Sequence, residues 1–458
     1  MFAKETYIAR RAKLKQTIGS GLLLFLGKDE SGMNYADNTY HFRQDSTFLY
    51  FFGLPYAGLS AIIDIDNNRE IIFGDELTID AIVWMGTQPT LKEKSEAAGI
   101  TEVRPFKEIE TYLKNAQQKG QPIHYLPTYR AEHQIKLFQW LGVVPGAEKP
   151  SVPFIMGVVN QRNYKSEEEI AEIEKACIVT ADMHLAAMRT VRPGIRESEV
   201  AAAVAEVAYA NNYELSFPII ATINGQTLHN HDHSNLIKSG DMLLLDAGAE
   251  TEMGYAGDMS STIPADAKFT TRQREIYDIQ VAAHEAAVAA LRPGIPFVDV
   301  YELSCKVIME GLKELGFVKG DPMEAVKAGA HAMFMPCGLG HMMGLDVHDM
   351  ENLGEVYVGY DGQPKSTEFG RKSLRLGRKL EPGFVLTIEP GVYFIPELMD
   401  LWRSQNKFTE FINYDKLFTY KDFSGIRNEE DYLITENGAR LLGKKIPVRA
   451  EEVEAIRK

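Results

Sequence analysis

The stretch Leu243-Leu244-Leu245-Asp246-Ala247-Gly248-Ala249-Glu250-Thr251-Glu252-Met253-Gly254-Tyr255-Ala256-Gly257-Asp258-Met259-Ser260-Ser261 decides how this chain is read. The apolar run Leu243-Leu244-Leu245 predicts a buried strand. Glu250-Thr251-Glu252-Met253-Gly254 has the composition of a hairpin connection. A hairpin of that length can bring Asp246 and Asp258 side by side on adjacent strands. Two carboxylates closing an apolar strand are costly to bury unless something positive lies between them. A metal ion would meet that need. The competing reading has one carboxylate capping a turn and the other in solvent, as most aspartates are.

Working outward, 458 residues exceed one ordinary domain, and two are expected. A hydrophobic content of 45% and a charged content of 25% are those of a globular, water-soluble chain. A formal net charge of −15 argues against nucleic acid or an anionic membrane as the main partner. The first residues, Met1 to Lys13, carry basic side chains but no apolar core, so no signal peptide is expected. No run approaches the length of a membrane span. Cys177, Cys305 and Cys337 are odd in number and far apart, which fits a reducing, cytoplasmic setting better than a disulfide scaffold.

The first 160 or so residues read as a small α/β domain. Residues 1–19 look helical, and Leu22–Leu26 is a strand candidate between Gly21 and Gly27. Phe42-Arg43-Gln44-Asp45-Ser46 leads into an aromatic cluster, Phe48, Tyr50, Phe51 and Phe52, expected in a core or a subunit contact. Ser60–Asp66, Asn67-Asn68 and Arg69–Phe73 read as a hairpin with a two-residue turn. Ala81–Met85 and Ile123–Leu126 read as further strands. Ser166 and Glu169 have capping-box spacing and open a long helix. His184 falls on that helix, packed or facing solvent. The boundary is placed there, giving domains 1–163 and 164–458.

The second domain contains an internal echo. Val191-Arg192-Pro193-Gly194-Ile195 recurs as Leu291-Arg292-Pro293-Gly294-Ile295, each after an Ala-rich helical segment. A duplicated helical hairpin, and hence a pseudo-twofold domain, is the sharper explanation; a chance turn motif is the plainer one. Three more signals follow: Gly338-Leu339-Gly340-His341 through Asp349, Leu386-Thr387-Ile388-Glu389-Pro390-Gly391, and Gly425 through Ile434, read as a strand with acids at its start. Residues 397–423 read as an irregular, aromatic-rich insertion.

Asp246, Asp258, His341, Glu389 and Glu429 thus each sit at a strand edge or Gly-rich turn. Four carboxylates and one imidazole can hold two divalent ions. Oxygen-rich sites favour Mn²⁺, with Zn²⁺ or Co²⁺ compatible through the imidazole. Two such ions, roughly 3.5–4 Å apart, lower the pKa of a water between them and stabilise an oxyanion, as amide hydrolysis requires.

In these motifs the chain resembles the pita-bread metallopeptidases of the aminopeptidase P and prolidase branch. The matching residues are Asp246-Ala247-Gly248, Gly257-Asp258, Gly340-His341 through Leu345-Asp346-Val347-His348-Asp349, Ile388-Glu389-Pro390-Gly391, and Gly425-Ile426-Arg427 followed by Glu429. Phe42-Arg43-Gln44-Asp45-Ser46 extends the likeness to the first domain. The resemblance implies an α/β (α+β) chain: a small N-terminal aminopeptidase-P-like domain and a C-terminal pita-bread domain with pseudo-twofold duplicated halves. It implies a dinuclear exopeptidase acting on Xaa-Pro bonds, of longer peptides or of dipeptides, and a homo-oligomer, dimer or tetramer. It implies Asp246, Asp258, His341, Glu389 and Glu429 as metal ligands, with Asp258 and Glu429 bridging and Glu389 also moving the proton of the attacking water. Glu430 is the chemical rival of Glu429, and the family spacing selects Glu429. His229 is implied at the scissile carbonyl or leaving proline, His348 at the proline pocket, and Arg427 as an arginine orienting the carboxylates. The departure is Cys337, where the family commonly has histidine; shifted contacts to the substrate proline, or a slower rate, are expected. A thiol filling space among Met333, Met335, Met342 and Met343 is the plainer reading. A creatinase-like, metal-free hydrolase and a non-catalytic binding module on the same fold are the alternatives.

Overall fold

Leu22–Leu26 (β1), apolar throughout, is an interior strand of the first sheet in the computed structural model, which describes residues 1–457. Around it lie Ser60–Asp64 (β2), Arg69–Phe73 (β3), Glu102–Arg104 (β4) and Ile123–His124 (β5), in the order β4-β3-β2-β1-β5. β1, β2 and β3 run antiparallel; β4 and β5 add in parallel at the edges. The β2–β3 connection spans four residues, not the two expected. Asp64 pairs with Arg69, and only Asn68 adopts a positive φ, of 50°. The Asp64 carboxylate explains the longer turn, accepting from the backbone and side-chain nitrogens of Asn67 at 3.2 and 2.8 Å.

Helix α1 (Lys4–Ile18) ends at Gly19, whose φ of 87° suits glycine. The aromatic cluster forms a short helix, α2 (Ser46–Phe52), capped by Asp45, whose carboxylate accepts from Phe48 N. Phe48, Phe51 and Phe52 are buried, with Phe25 packed edge-on to Phe52 at 5.0 Å between centroids. Ala81–Met85 belongs to a helix, α3 (Ile79–Met85), and not to a strand. Thr78 accepts from Ala81 N at 3.1 Å and so closes the first turn, and Gly86 ends the last. This cap outweighs the strand preference of an apolar run that has no sheet partner.

The chain divides into two compact units. The first is Met1–Arg162 with Met350–Tyr357; the second is Asn163–Asp349 with the segment from Val358 onward. Helices Leu91–Ala97 (α4), Glu108–Gln118 (α5), Ala131–Leu141 (α6) and Val152–Arg162 (α7) complete the first.

The second unit is built twice over. Glu167–Thr190 (α8) and Glu197–Ala210 (α9) form one helical hairpin; Thr271–Ala290 (α10) and Phe297–Glu314 (α11) form the other. The repeated Arg-Pro-Gly turns connect them, with Gly194 and Gly294 at φ of 93° and 83°. Gly194 N donates to Ile237 O at 2.9 Å and Gly294 N to Leu380 O at 2.8 Å. Ile237 N and Leu380 N return the bond to Ile195 O and Ile295 O. Each hairpin therefore grips the segment that leads into its own strand pair, as a duplicated unit requires. The capping box at Ser166 and Glu169 opens α8, and Thr270 with Gln273 forms its counterpart on α10.

Between the hairpins run Ile220–Thr222 (β7), Met242–Ala247 (β8) and Met259–Pro264 (β10), then Val385–Ile388 (β11), Gly391–Phe394 (β12), Ser424–Arg427 (β13), Glu430–Thr435 (β14) and Gly438–Leu441 (β15). A two-stranded pair, Glu214–Leu215 (β6) with Ala249–Glu250 (β9), lies beside them. The stretch from Gly425 is thus two strands in two sheets, interrupted at Asn428-Glu429. The 397–423 insertion is not irregular: it carries helices Pro396–Ser404 and Tyr414–Phe418. Its aromatic residues are the reason, since Tyr420 and Phe423 pack on Phe394, with Tyr420 edge-on to Phe317 at 4.7 Å.

Candidate active site

Strand register places the expected residues. β8 and β10 pair with Met259 opposite Ala247 and Ser260 opposite Asp246. Asp258 is therefore not beside Asp246. It stands opposite Gly248, two residues along, and the period of two puts both carboxylates on one face. The close approach explains the glycines: a Cβ on Gly248 would lie 1.9 Å from Gly257 O. A single bridge joins Ser260 to Glu429, with Glu429 N donating to Ser260 O at 3.0 Å. On the far side, Ile388 pairs with Glu430 and Gly391 with Arg427. That register sets Glu389 directly opposite Glu429 across the interruption. Asp246, Ser260, Glu429 and Glu389 thus lie in one row across the strands.

His341 joins from a short extended segment. Met342 bridges Leu386, Thr387 N donates to His341 O at 3.0 Å, and Glu389 N to Leu339 O at 2.7 Å. Its ring therefore shares the face of Glu389. The His341 Nε2 lies 3.4 Å from Asp258 Oδ2 and 3.7 Å from Glu389 Oε1, while Nδ1 faces Met342 O at 3.1 Å. Asp258, His341 and Glu429, all buried, each offer one ligand atom within 4.8 Å of the others.

Arg427 ties the row together. Its Nη2 donates to Asp246 Oδ2 at 2.5 Å, its Nε to Ser260 Oγ at 2.9 Å, and its Nη1 to Tyr393 OH at 2.9 Å. Ser260 Oγ in turn donates to Glu429 Oε2 at 2.8 Å. The remaining oxygens Asp246 Oδ1 and Asp258 Oδ1 are buried without a hydrogen-bond partner. Burial, then Asp246, holds the Asp258 carboxyl well above its ordinary range, and burial with Asp258 and Glu389 does the same for Glu429. Burial also raises Glu389, against His341 and Arg427, and lowers His341. Crowded carboxylates with unused oxygens and an imidazole are a donor set that a divalent cation fits.

Asp246, Asp258, His341, Glu389, Arg427 and Glu429 line a cavity of about 580 Å³. Its walls include Phe217, Pro218, Ile220, Leu228, His229, His231, Val347, His348, Ser373 and Arg375. Of the three histidines after Leu228, His229 and His231 line the cavity, while the His233 Nε2 faces Ile219 O at 3.0 Å. Burial and Arg427 lower His229. His348 lies against His341, 4.3 Å between ring centroids. Cys337 lines the cavity and packs against the cluster of Ile220, Leu244 and Tyr393. Burial and Glu389 push its thiol up to about 12. His184 is buried, its ring nitrogens facing Ser261 Oγ and Ala247 O at 2.8 and 3.2 Å. Glu430 lies apart from the row, accepting from Tyr432 OH at 2.8 Å and 3.7 Å from His284 Nε2.

Sequence reasoning missed Ser260, Tyr393 and Arg375. Ser260 was within reach, standing two residues after Asp258 on a strand. Tyr393, which meets the row through Arg427, and Arg375, which lines the cavity, had no local signal, because tertiary packing places them.

Such a donor set beneath a cavity, on a duplicated helix-and-strand unit, is that of a metal-dependent hydrolase. Comparison with known proteins agrees. Residues 171–436 match the model of metallopeptidase family M24, and residues 7–124 that of the aminopeptidase P N-terminal domain. The chain belongs to metallopeptidase family M24. It is 31% identical to the Xaa-Pro aminopeptidase of Escherichia coli (strain K12), over 99% of this chain and 98% of that protein. It is 28% identical to the Xaa-Pro dipeptidase of Homo sapiens, over 98% and 91%. The structure of E. coli aminopeptidase P with the inhibitor Pro-Leu superposes with a TM-score of 0.82 at 29% identity, covering 100% of this chain and 98% of that one.

Proposed function

We propose that this enzyme hydrolyses the bond between an N-terminal residue and a following proline, with two divalent ions held by Asp246, Asp258, His341, Glu389 and Glu429. The observation that carries the reading is the shared face of these five donors under one cavity, with Asp246 Oδ1 and Asp258 Oδ1 left without partners. When bound, the ions would polarise the scissile carbonyl and lower the pKa of the attacking water. Four carboxylates to one imidazole favour manganese, with zinc or cobalt compatible. A zinc-substituted form of E. coli aminopeptidase P with product is among the similar structures.

The chain's own residues do the rest. Glu389, at the cavity floor, takes the proton of the water and passes it toward the leaving nitrogen. His229, its pKa lowered by burial and Arg427, donates a hydrogen bond to the scissile carbonyl or the proline. His348 borders the proline pocket, whose apolar walls Phe217, Ile220 and Val347 suit the ring. Arg427 holds Asp246 in place while Cys337 alters the contacts to proline. Proline has no N–H and a fixed φ, so a cleft that requires no N–H there and holds the ring accepts it where general peptidase clefts fail.

Relatives named as dipeptidase and as aminopeptidase both match, and both substrate lengths fit this reading. Product analysis with Gly-Pro and with a tripeptide bearing proline second, each with Mn²⁺ supplied, distinguishes them. Turnover of neither sinks the proposal, and turnover without metal favours the creatinase-like alternative. Self-association, as a dimer or tetramer, is part of the proposal; α3 presents Ile79, Val83, Trp84 and Met85 at 68–84% exposure, and sedimentation tests it. No described helix is long and apolar enough to cross a membrane, and Cys177, Cys305 and Cys337 are all unpaired. Both fit a cytoplasmic enzyme.

A further inference from the structure

The two glutamates of the far half lie where a β ladder is broken, and the break has a specific chemical cause. The pairs Ile388–Glu430 and Gly391–Arg427 belong to one register, which makes Pro390 the partner of Asn428. On either side, Glu389 N and Glu429 N point away from the ladder, to Leu339 O and Ser260 O. In an antiparallel ladder, bonded and non-bonded pairs alternate. Pro390–Asn428 is therefore the pair that should exchange both hydrogen bonds, and Pro390 has no N–H to give.

A side chain from α10 fills this gap. Gln280 Nε2 donates to Pro390 O at 2.7 Å and to Asn428 O at 3.4 Å. Its Oε1 accepts from Asn428 Nδ2 at 2.5 Å. Asn428 Oδ1 accepts from Thr262 N on β10 at 3.3 Å and faces Tyr277 OH, one helical turn from Gln280, at 3.3 Å, that hydroxyl donating over the shorter 2.8 Å to Val448 O. Gln280 and Asn428 are fully buried. The amide pair thus touches the residue after Glu389, the residue before Glu429, and the strand that follows Asp258.

We propose that Gln280 is a positioning residue that replaces the ladder bonds lost at Pro390 and so sets the spacing of Glu389 and Glu429. The inference rests on the metal reading above. Partners behind metal ligands typically matter by about 10–100-fold in affinity or activity. A Gln280→Met variant keeps length and removes the hydrogen bonds. Mn²⁺ titration of the metal-stripped protein, with kcat and KM measured separately, should show weaker uptake by about tenfold or more and a similar loss in kcat, with KM little changed. Adding Pro390→Ala, which restores an N–H opposite Asn428, should recover part of both. If Gln280→Met fails to fold, Asn428→Ala reads the same bracket. Thermal destabilisation with Mn²⁺ affinity and kcat within twofold of the parent would overturn the inference and leave Gln280 a structural brace. Absence of Mn²⁺ binding by the parent itself would instead overturn the metal reading, and this inference with it.

Discussion

Replacing Gly340 with alanine should separate His341 from Glu389. A Cβ built on Gly340 would lie 2.0 Å from Thr387 O and 2.8 Å from Thr387 C, whereas Cβ contacts under 3.0 Å are essentially never seen. The segment must therefore back away from β11 by about 1 Å, because backbone, not a flexible side chain, is in the way. Of the hydrogen bonds that hold it to β11, three flank Gly340: Thr387 N to His341 O, Glu389 N to Leu339 O, and His341 N to Thr387 Oγ1 at 3.3 Å. At about 0.5–1.5 kcal/mol each, losing them costs roughly 1.5–4.5 kcal/mol of stability. His341 and Glu389, now 3.7 Å apart, move with that segment. A displacement of this size can reduce turnover by about 100-fold. Thermal denaturation, Mn²⁺ uptake and steady-state hydrolysis of an Xaa-Pro peptide read the three consequences. A Gly340→Ala enzyme with unchanged Tm and turnover within twofold of the parent would refute the register argument.

Other expectations can be checked alongside. Arg427→Lys should lower turnover by about 10–100-fold, because an ammonium cannot reach Asp246, Ser260 and Tyr393 in the fixed fork of a guanidinium; parental kinetics would show that charge alone suffices. Cys337→His should change KM for Xaa-Pro substrates, since it puts a titratable donor where burial keeps a protonated thiol; unaltered kinetics would count against a role for this position. His284 is held down to about 4 by burial, so its contribution to stability is full above its unfolded value and is lost as the pH falls through 4. His284→Leu should flatten the acid side of the stability curve between pH 7 and 4 by up to about 3 kcal/mol, measured by urea unfolding at fixed pH; an unchanged slope would contradict this.

What the sequence disclosed was local. The strand at Leu243–Leu245 is set by an apolar run, and the capping box of α8 by Ser166 and Glu169. The duplicated turns show as Arg-Pro-Gly, because a positive φ after proline leaves a composition mark. The α3 helix was hidden since Ile, Val and Trp favour strands, and only the Thr78 cap decides otherwise. The break at Asn428-Glu429 was hidden because its cause, Pro390, lies nearly forty residues away in the chain. Register was hidden too: spacing put Asp246 and Asp258 on neighbouring strands but not two residues out of step. Tyr393 and Gln280 bond to partners more than thirty residues distant, so no window along the chain reveals them.

On the proposed function, one face of these strands holds two divalent cations that support peptide hydrolysis. Titrating chelator-stripped enzyme with Mn²⁺, while following binding and Gly-Pro cleavage together, addresses it most directly. Two equivalents bound, with activity returning alongside them and both abolished by Asp258→Asn, are expected. Full activity in the stripped protein, or saturation without any metal taken up, would contradict it.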